Sequence, residues 1–258
     1  MELLPDPKSA FDIEMWSIRA RKYSDLDWVN NNGPMNHFLE IAKLKGDEII
    51  VDVGTGSQAV AKFISQQLGD RARIFGFDAS RDMISLGKGD KNQNVHVFVG
   101  DANNIPMPAS SVDLVIARMV YHHLKNPVEA IKEAVRITKT GGRVFIAEHV
   151  VMDEEVRQFE KVLFEAKEPG RNLWTVGEIE ELAKQAGLGD VVTHMGMLEQ
   201  YSMTEWMINS GLDVSIQQRV LRYFSTASEG VRKKLKINTT SKGILMDGYY
   251  ACVVGTKV

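Results

Sequence analysis

The chain has a single cysteine in 258 residues, Cys252. That excludes an intrachain disulfide. Its place inside the apolar run Tyr249-Tyr250-Ala251-Cys252-Val253-Val254 marks a buried structural thiol rather than a nucleophile. No apolar stretch approaches the roughly 20 residues that cross a bilayer, so no membrane span is expected. The opening residues, Met1-Glu2-Leu3-Leu4-Pro5-Asp6-Pro7, do not read as a signal peptide, and a cytoplasmic location is the expectation. Basic charge is not in excess: 31 Lys and Arg face 34 Asp and Glu, a net charge of −3, which argues against a nucleic-acid binder with its basic stripe. The one dense basic cluster, Arg232-Lys233-Lys234 with Lys236, reads as a solvated helix face. Internal repeats, low-complexity tracts and linker-like shifts in composition are absent too. What remains, 44% hydrophobic and 25% charged residues, is an ordinary globular composition, long enough for one large domain or a domain with a small cap.

The most informative segment present is Ile49-Ile50-Val51-Asp52-Val53-Gly54-Thr55-Gly56-Ser57-Gln58-Ala59-Val60, an apolar strand that runs through two spaced glycines into a helix. Gly54 lets the backbone turn off the strand end, and Gly56 lacks the Cβ that would hold the main chain away from a ligand. The following helix offers unpaired N–H groups at its positive end. Asp78 ends the next apolar run, 22 residues after Gly56, where an acid can accept hydrogen bonds from ribose hydroxyls. A third run, 95–99, leads to Gly100-Asp101-Ala102. A fourth, 112–116, leads to Ala117-Arg118-Met119-Val120-Tyr121-His122-His123-Leu124. Gly141-Gly142-Arg143 then opens a fifth, which ends at Glu148-His149.

Strands alternating with helices from Glu48 onward predict a doubly wound α/β fold, a seven-stranded, mostly parallel sheet with right-handed crossovers. In such a sheet the strands present their carboxyl ends at one edge, and Asp52, Asp78, Asp101, Arg118 and Glu148 each follow an apolar run. Residues 1–45 read as an N-terminal helical lid, with helices around 11–23 and 35–44. The core spans 46–201 and 249–258, its sixth strand near 190–195 and its seventh near 249–255. Between them, 202–248 reads as an insertion of two or three helices, a cap over a pocket or a homodimer contact. Ser80, Asn126 before Pro127, and Thr175 with Glu178 fit helix starts, and Gly141 fits a helix stop.

In this order the motifs resemble the class I S-adenosylmethionine-dependent methyltransferases, in the small-molecule branch related to the ubiquinone and menaquinone biosynthesis enzymes. The resemblance covers about 15–200 and implies S-adenosyl-L-methionine as cofactor and a small-molecule acceptor. It places Asp52, Gly54, Thr55 and Gly56 in the loop under the cofactor's methionine part, Asp78 with Ala79 at the ribose, Met83 on the adenine face, and Asp101 with Ala102 at the adenine edge. Arg118 and His123 fall in the segment that closes the site, and Tyr23 resembles the lid aromatic near the sulfonium. Many members carry a third glycine where this chain has Gln58, so a change in how closely the loop meets the cofactor is expected.

His122, Glu148 and His149 lie nearest the expected methyl position, and a histidine can take a proton from an acceptor. Trp174 is expected either to line the acceptor pocket or to staple the following helix. No metal is expected, because adjacent histidines on a helix diverge by about 100°. Two other readings stay open. Gly54-Thr55-Gly56-Ser57-Gln58-Ala59 also fits the G-x-G-x-x-A pattern of an NAD(P)-dependent oxidoreductase, and a protein of this fold can bind the cofactor without methylating.

Overall fold

The computed structural model describes residues 14–20, 32–87, 93–209, 212–241 and 243–258; Tyr23 lies outside them. A helical stretch, α1, covers 14–20, and α2 spans Asn32–Ala42. The first strand, β1 (Ile49–Val53), lies inside the sheet and pairs in parallel with β2 (Arg73–Asp78) on one side and β4 (Val112–Arg118) on the other. Helices cover both of its faces, which is why its sequence is a continuous apolar run. Between these strands come α3 (Ala59–Leu68), α4 (Arg81–Leu86) and β3 (Val95–Val99); then α5 (Pro127–Ile137), β5 (Thr138–Val150), α6 (Glu154–Lys167), α7 (Val176–Gln185) and β6 (Leu188–Ser202) follow β4. The chain closes with α8 (Met203–Ile208), α9 (Val214–Tyr223), α10 (Glu229–Lys234), β7 (Asn238–Thr240) and β8 (Gly243–Lys257).

The strand order is β3-β2-β1-β4-β5-β8-β6, with β7 paired to β8. All pairings from β3 to β5 are parallel, and β8 is antiparallel to both β5 and β6. Alternation along each strand divides the core into two layers. Val51, Val53, Val115, Ala117 and Ile146 face α5 and α7, while Ile50, Leu114, Ile116 and Phe145 face α2 and α3. A third apolar cluster lies apart from these: Phe159, Leu163 and Phe164 of α6 pack against Met203, Trp206, Met207, Val220 and Phe224. The segment 202–248 is therefore built onto α6.

The sequence expectations need four corrections. The sheet has eight strands, and β6 and β8 run to 15 residues each. Hence 202–248 is not wholly helical: it ends in a hairpin, with Thr240 paired to Gly243, where a φ of 118° suits glycine. Gly141 does not stop α5, which ends at Ile137 because Thr138 turns extended and its hydroxyl donates back to the Ala134 carbonyl at 2.7 Å. Gly141, at φ 76°, sits where the β4–β5 pairing slips register. Asn126 makes no side-chain cap bond, although Pro127 holds the first helical turn as expected. The caps at Ser80 and at Thr175 with Glu178 do form.

Candidate functional site

Two chambers meet at the carboxyl edge of the sheet. The first encloses about 360 Å³ and is walled by Gly54, Gly56, Asp78, Ala79, Met83, Asp101, Ala102 and Arg118, with Ser80, Gly100 and Asn103 beside them. Nine of the twelve residues expected at the cofactor, His123 among them, thus fall in one crevice. Gly54 takes a φ of 64°, and a Cβ there would lie 2.4 Å from Val120 Cγ2; Gly56 takes a φ of 51°, and its Cβ would crowd Met83 Cε at 3.3 Å. Both positions call for glycine by their backbone, and Gly54 by space as well. The backbone N–H groups of Gly56 and Ser80 each donate to the Asp78 carboxylate at 2.8 Å, locking the acid at the rim. Burial raises its pKa, and those two N–H groups oppose the rise. Asp101 is exposed and accepts from the Asn103 backbone N–H at 2.9 Å and from its side-chain amide at 3.0 Å.

Asp52 and Thr55 do not line the crevice, a correction to their expected role. Both are buried beneath the loop, where the Thr55 hydroxyl donates to Asp52 at 2.7 Å and the Thr55 N–H to the Phe77 carbonyl at 3.0 Å. Burial raises Asp52 to about 6, against the Thr55 bond and the nearby Arg118 charge. Gln58 is also outside the lining. It adopts φ 67° at the start of α3, and its amide donates to the Ile84 carbonyl at 3.0 Å, tying α3 to α4 behind the loop. The missing third glycine therefore leaves the cradle itself unobstructed.

The second chamber encloses about 100 Å³ and shares Trp16, Met119 and His123 with the first. His122, His149, Phe164, Lys167, Glu168, Arg171 and Trp206 are among its other walls. His122 and His149 line this second chamber and not the first. Each is held by a buried carboxylate: His122 Nδ1 meets Glu148, and His149 Nε2 meets Glu160 at 2.7 Å. Glu148 is a correction. It is fully buried and absent from either wall, and it accepts the N–H groups of Val120 at 3.1 Å and Tyr121 at 2.7 Å as well as His122. It fastens the turn that follows β4, in which Met119 holds a strained φ of 58°. Burial raises Glu148 to about 7, against those two N–H donors, and burial keeps His122 and His123 neutral, well below the ordinary histidine pKa.

Trp174 lies outside both chambers; its carbonyl accepts from the Val151 N–H at 2.9 Å and its ring packs on the core, so it anchors the segment before α7. Ligand atoms of His122, His123 and Glu168 lie within 4.8 Å of one another, close enough for a metal ion because these histidines sit on a tight 3₁₀ turn rather than an α-helix. The surroundings oppose a cation. Arg19 donates to Glu168 at 3.0 Å and Arg171 at 2.6 Å, so both carboxylate oxygens are already engaged by guanidinium groups. Sequence reasoning missed Trp16, Arg19, Phe164, Lys167, Arg171 and Trp206. The run 164–171, mixing an aromatic with four charges, was a faint signal, since a charge run is ordinarily a solvated face.

This sheet order, with an antiparallel strand inserted beside β5 and a glycine-cradled crevice at the carboxyl edge, defines the Rossmann-like methyltransferase fold. Residues 51–146 match the family model described as Methyltransferase domain. The uncharacterized methyltransferase YcgJ of Bacillus subtilis is 21% identical over 240 residues, covering 88% of this chain and 91% of that protein. Its crystal structure superposes with a TM-score of 0.75 at 18% identity, over 88% of this chain and 99% of that one. The ubiquinone/menaquinone biosynthesis C-methyltransferase UbiE of Laribacter hongkongensis is 24% identical over 150 residues, which span 55% of this chain and 62% of UbiE. A phosphoethanolamine N-methyltransferase of Haemonchus contortus, in complex with phosphomonomethylethanolamine and S-adenosylhomocysteine, matches with a TM-score of 0.55 at 19% identity, over 86% of this chain and 52% of that one.

Proposed function

We propose that this chain transfers a methyl group from S-adenosylmethionine to a small organic acceptor by in-line displacement. The observation that carries this reading is the pair of chambers sharing one wall, Trp16, Met119 and His123. Gly54, Gly56, Asp78, Met83 and Asp101 would hold the cofactor: a backbone cradle, a carboxylate at the rim and an apolar side chain suit an adenosyl group with a charged tail. Bound there, it would supply a methyl already activated by a sulfonium, which leaves the protein to align the acceptor and, where needed, to accept its proton.

The smaller chamber suits a small acceptor with an apolar body. His122 and His149, each anchored by a carboxylate, orient it. His123 is the group we assign to receive the acceptor's proton, because it reaches both chambers and its imidazole is kept neutral by burial. Trp16, on the wall the two chambers share, closes over the methyl end of the cofactor. Glu148 is a positioning residue acting through the 119–123 turn.

The test is transfer of a labelled methyl group from S-adenosylmethionine into a set of small aromatic acceptors. Labelled product is expected, with kcat falling roughly 100-fold in His123→Ala and S-adenosylhomocysteine still bound. Full turnover in that variant would remove His123 from the chemistry; cofactor binding with no transfer to any acceptor would favour a protein that binds the cofactor without methylating.

A further inference from the structure

The acceptor chamber is apolar on most of its walls, yet three of its side chains are permanently cationic or readily so: Arg19, Lys167 and Arg171. Against them stands, among the described residues, one lining carboxylate, Glu168, and both its oxygens are already taken by Arg19 and Arg171. Two further carboxylates lie behind the wall, Glu148 on His122 and Glu160 on His149, and neither pairs with the three cations among the described residues. Lys167 is the side chain left over. It is 6% exposed, its Nζ rests 3.7 Å from the centre of the Trp206 ring, and no carboxylate among the described residues forms a salt bridge with it. Arg171, stacked 4.1 Å over Phe164, has a buried Nε–H with no hydrogen-bond partner. Burial pushes the Lys167 amine well below the ordinary lysine pKa, with the Glu168 charge opposing the fall, so an ammonium seated on the Trp206 ring beside an orphaned guanidinium donor gains from a further anion.

We propose that the acceptor chamber is built for an anionic acceptor, a carboxylate or phosphate monoester on an apolar or aromatic body, with the anion seated between Lys167 and Arg171. The inference rests on the methyl-transfer reading above and adds the substrate's charge to it. The anion meets Lys167, which forms no salt bridge among the described residues, and the unpartnered Nε–H of Arg171, in a water-poor setting where charge-assisted bonds are strongest. The body packs on Trp16, Phe164, Trp206 and Tyr250, which line the same space. Seating the anion on α6 and the turn after it fixes the acceptor's other end toward the wall it shares with the cofactor crevice. A cationic amine is disfavoured here despite the aromatic lining, because Glu168 is saturated and three cations surround the space.

The experiment uses calorimetry on the protein saturated with S-adenosylhomocysteine, titrated with benzoate, phenyl phosphate, benzyl alcohol and benzylamine. At least one anion is expected to bind roughly tenfold tighter than benzyl alcohol, with benzylamine weakest, and the tighter of benzoate and phenyl phosphate identifies the anion. Lys167→Met is expected to weaken that anion roughly tenfold while S-adenosylhomocysteine binds within about twofold of the parent, since Lys167 lies outside the cofactor crevice. Should Lys167→Met fail to fold, the four probes on the parent still decide. Benzylamine or benzyl alcohol binding as well as the anions, or no saturable anion binding to the cofactor-loaded protein, overturns the inference. Failure of the parent to bind S-adenosylhomocysteine overturns the methyl-transfer reading instead, and the anion seat as an acceptor site falls with it.

Discussion

The two chambers that meet at Met119 and His123 are made by different means. The cofactor crevice is a backbone construction: two glycines at positive φ, N–H groups donated to Asp78, and consecutive strand ends that deliver one residue each. The acceptor chamber is a side-chain construction, drawing Arg19 from α1, His122 and His123 from the turn after β4, Lys167, Glu168 and Arg171 from the end of α6, and Trp206 from α8. The first tolerates almost no change in backbone freedom but depends on few side chains. The second rests on buried charges whose balance is set by partners far apart in sequence. Chemistry shared across a superfamily belongs to the first kind of site, and substrate choice to the second.

The largest expected effect on this contrast is at Gly54. Its alanine variant would force a Cβ against Val120 at a φ of 64°, and S-adenosylhomocysteine affinity is expected to fall roughly 100-fold by titration, because the whole loop must move. Retained affinity would break the claim that the crevice is written in the backbone. Next comes Glu148→Ala, which strands the N–H groups of Val120 and Tyr121 together with His122; a loss of about 3 kcal/mol in denaturant unfolding is expected. Because Glu148 acts on the turn, kcat should fall more than KM rises, and Glu148→Gln should restore part of it. A purely structural role would lower stability with kcat of the folded fraction unchanged.

Asp52 offers a comparable effect with a sign. Its pKa is raised from 3.8 to about 6, so between those values the native state keeps a proton that the unfolded chain has lost. Its contribution to stability therefore declines as pH rises from about 4 to about 6 and stays low above that. Asp52→Asn, which keeps an acceptor for the Thr55 hydroxyl, is expected to be more stable than the parent by about 3 kcal/mol at pH 8, the gap closing below about pH 4. Parallel pH profiles for the two proteins would show that the loop is not braced by a protonated acid. The smallest effect is expected for Trp174→Phe: acceptor KM within about twofold of the parent, since the ring lies outside both chambers.

How much of each region was legible in the sequence follows from the same contrast. Gly54, Gly56, Asp78 and Asp101 could be found because strand alternation and a glycine spacing fix backbone geometry over a few residues, and the fold delivers them to one edge. Asp52 and Thr55 were placed one layer too high: the alternation that puts them on the correct strand end does not say whether a side chain points up into the crevice or down under the loop. Glu148 was misjudged for a similar reason. It lies near the end of β5 at the right edge, but its partners, Val120 and Tyr121, are backbone groups that no pattern of side chains announces. Lys167 and Arg171 were invisible as site residues because their meaning depends on α1 and α8 folding over α6, a packing of segments about 150 and 40 residues distant. The insertion's apolar stripes were legible, but its terminal hairpin, Asn238–Thr240 with the start of β8, carried too short an alternation to separate from loop.

The most direct test of the account is calorimetric titration of the parent and of Asp78→Ala with S-adenosylhomocysteine and with NADH. The account expects saturable binding of S-adenosylhomocysteine to the parent, weakened roughly tenfold or more in the variant, which loses the carboxylate held by Gly56 and Ser80, and no binding of NADH. Binding of NADH alone, or S-adenosylhomocysteine affinity indifferent to Asp78, would contradict it.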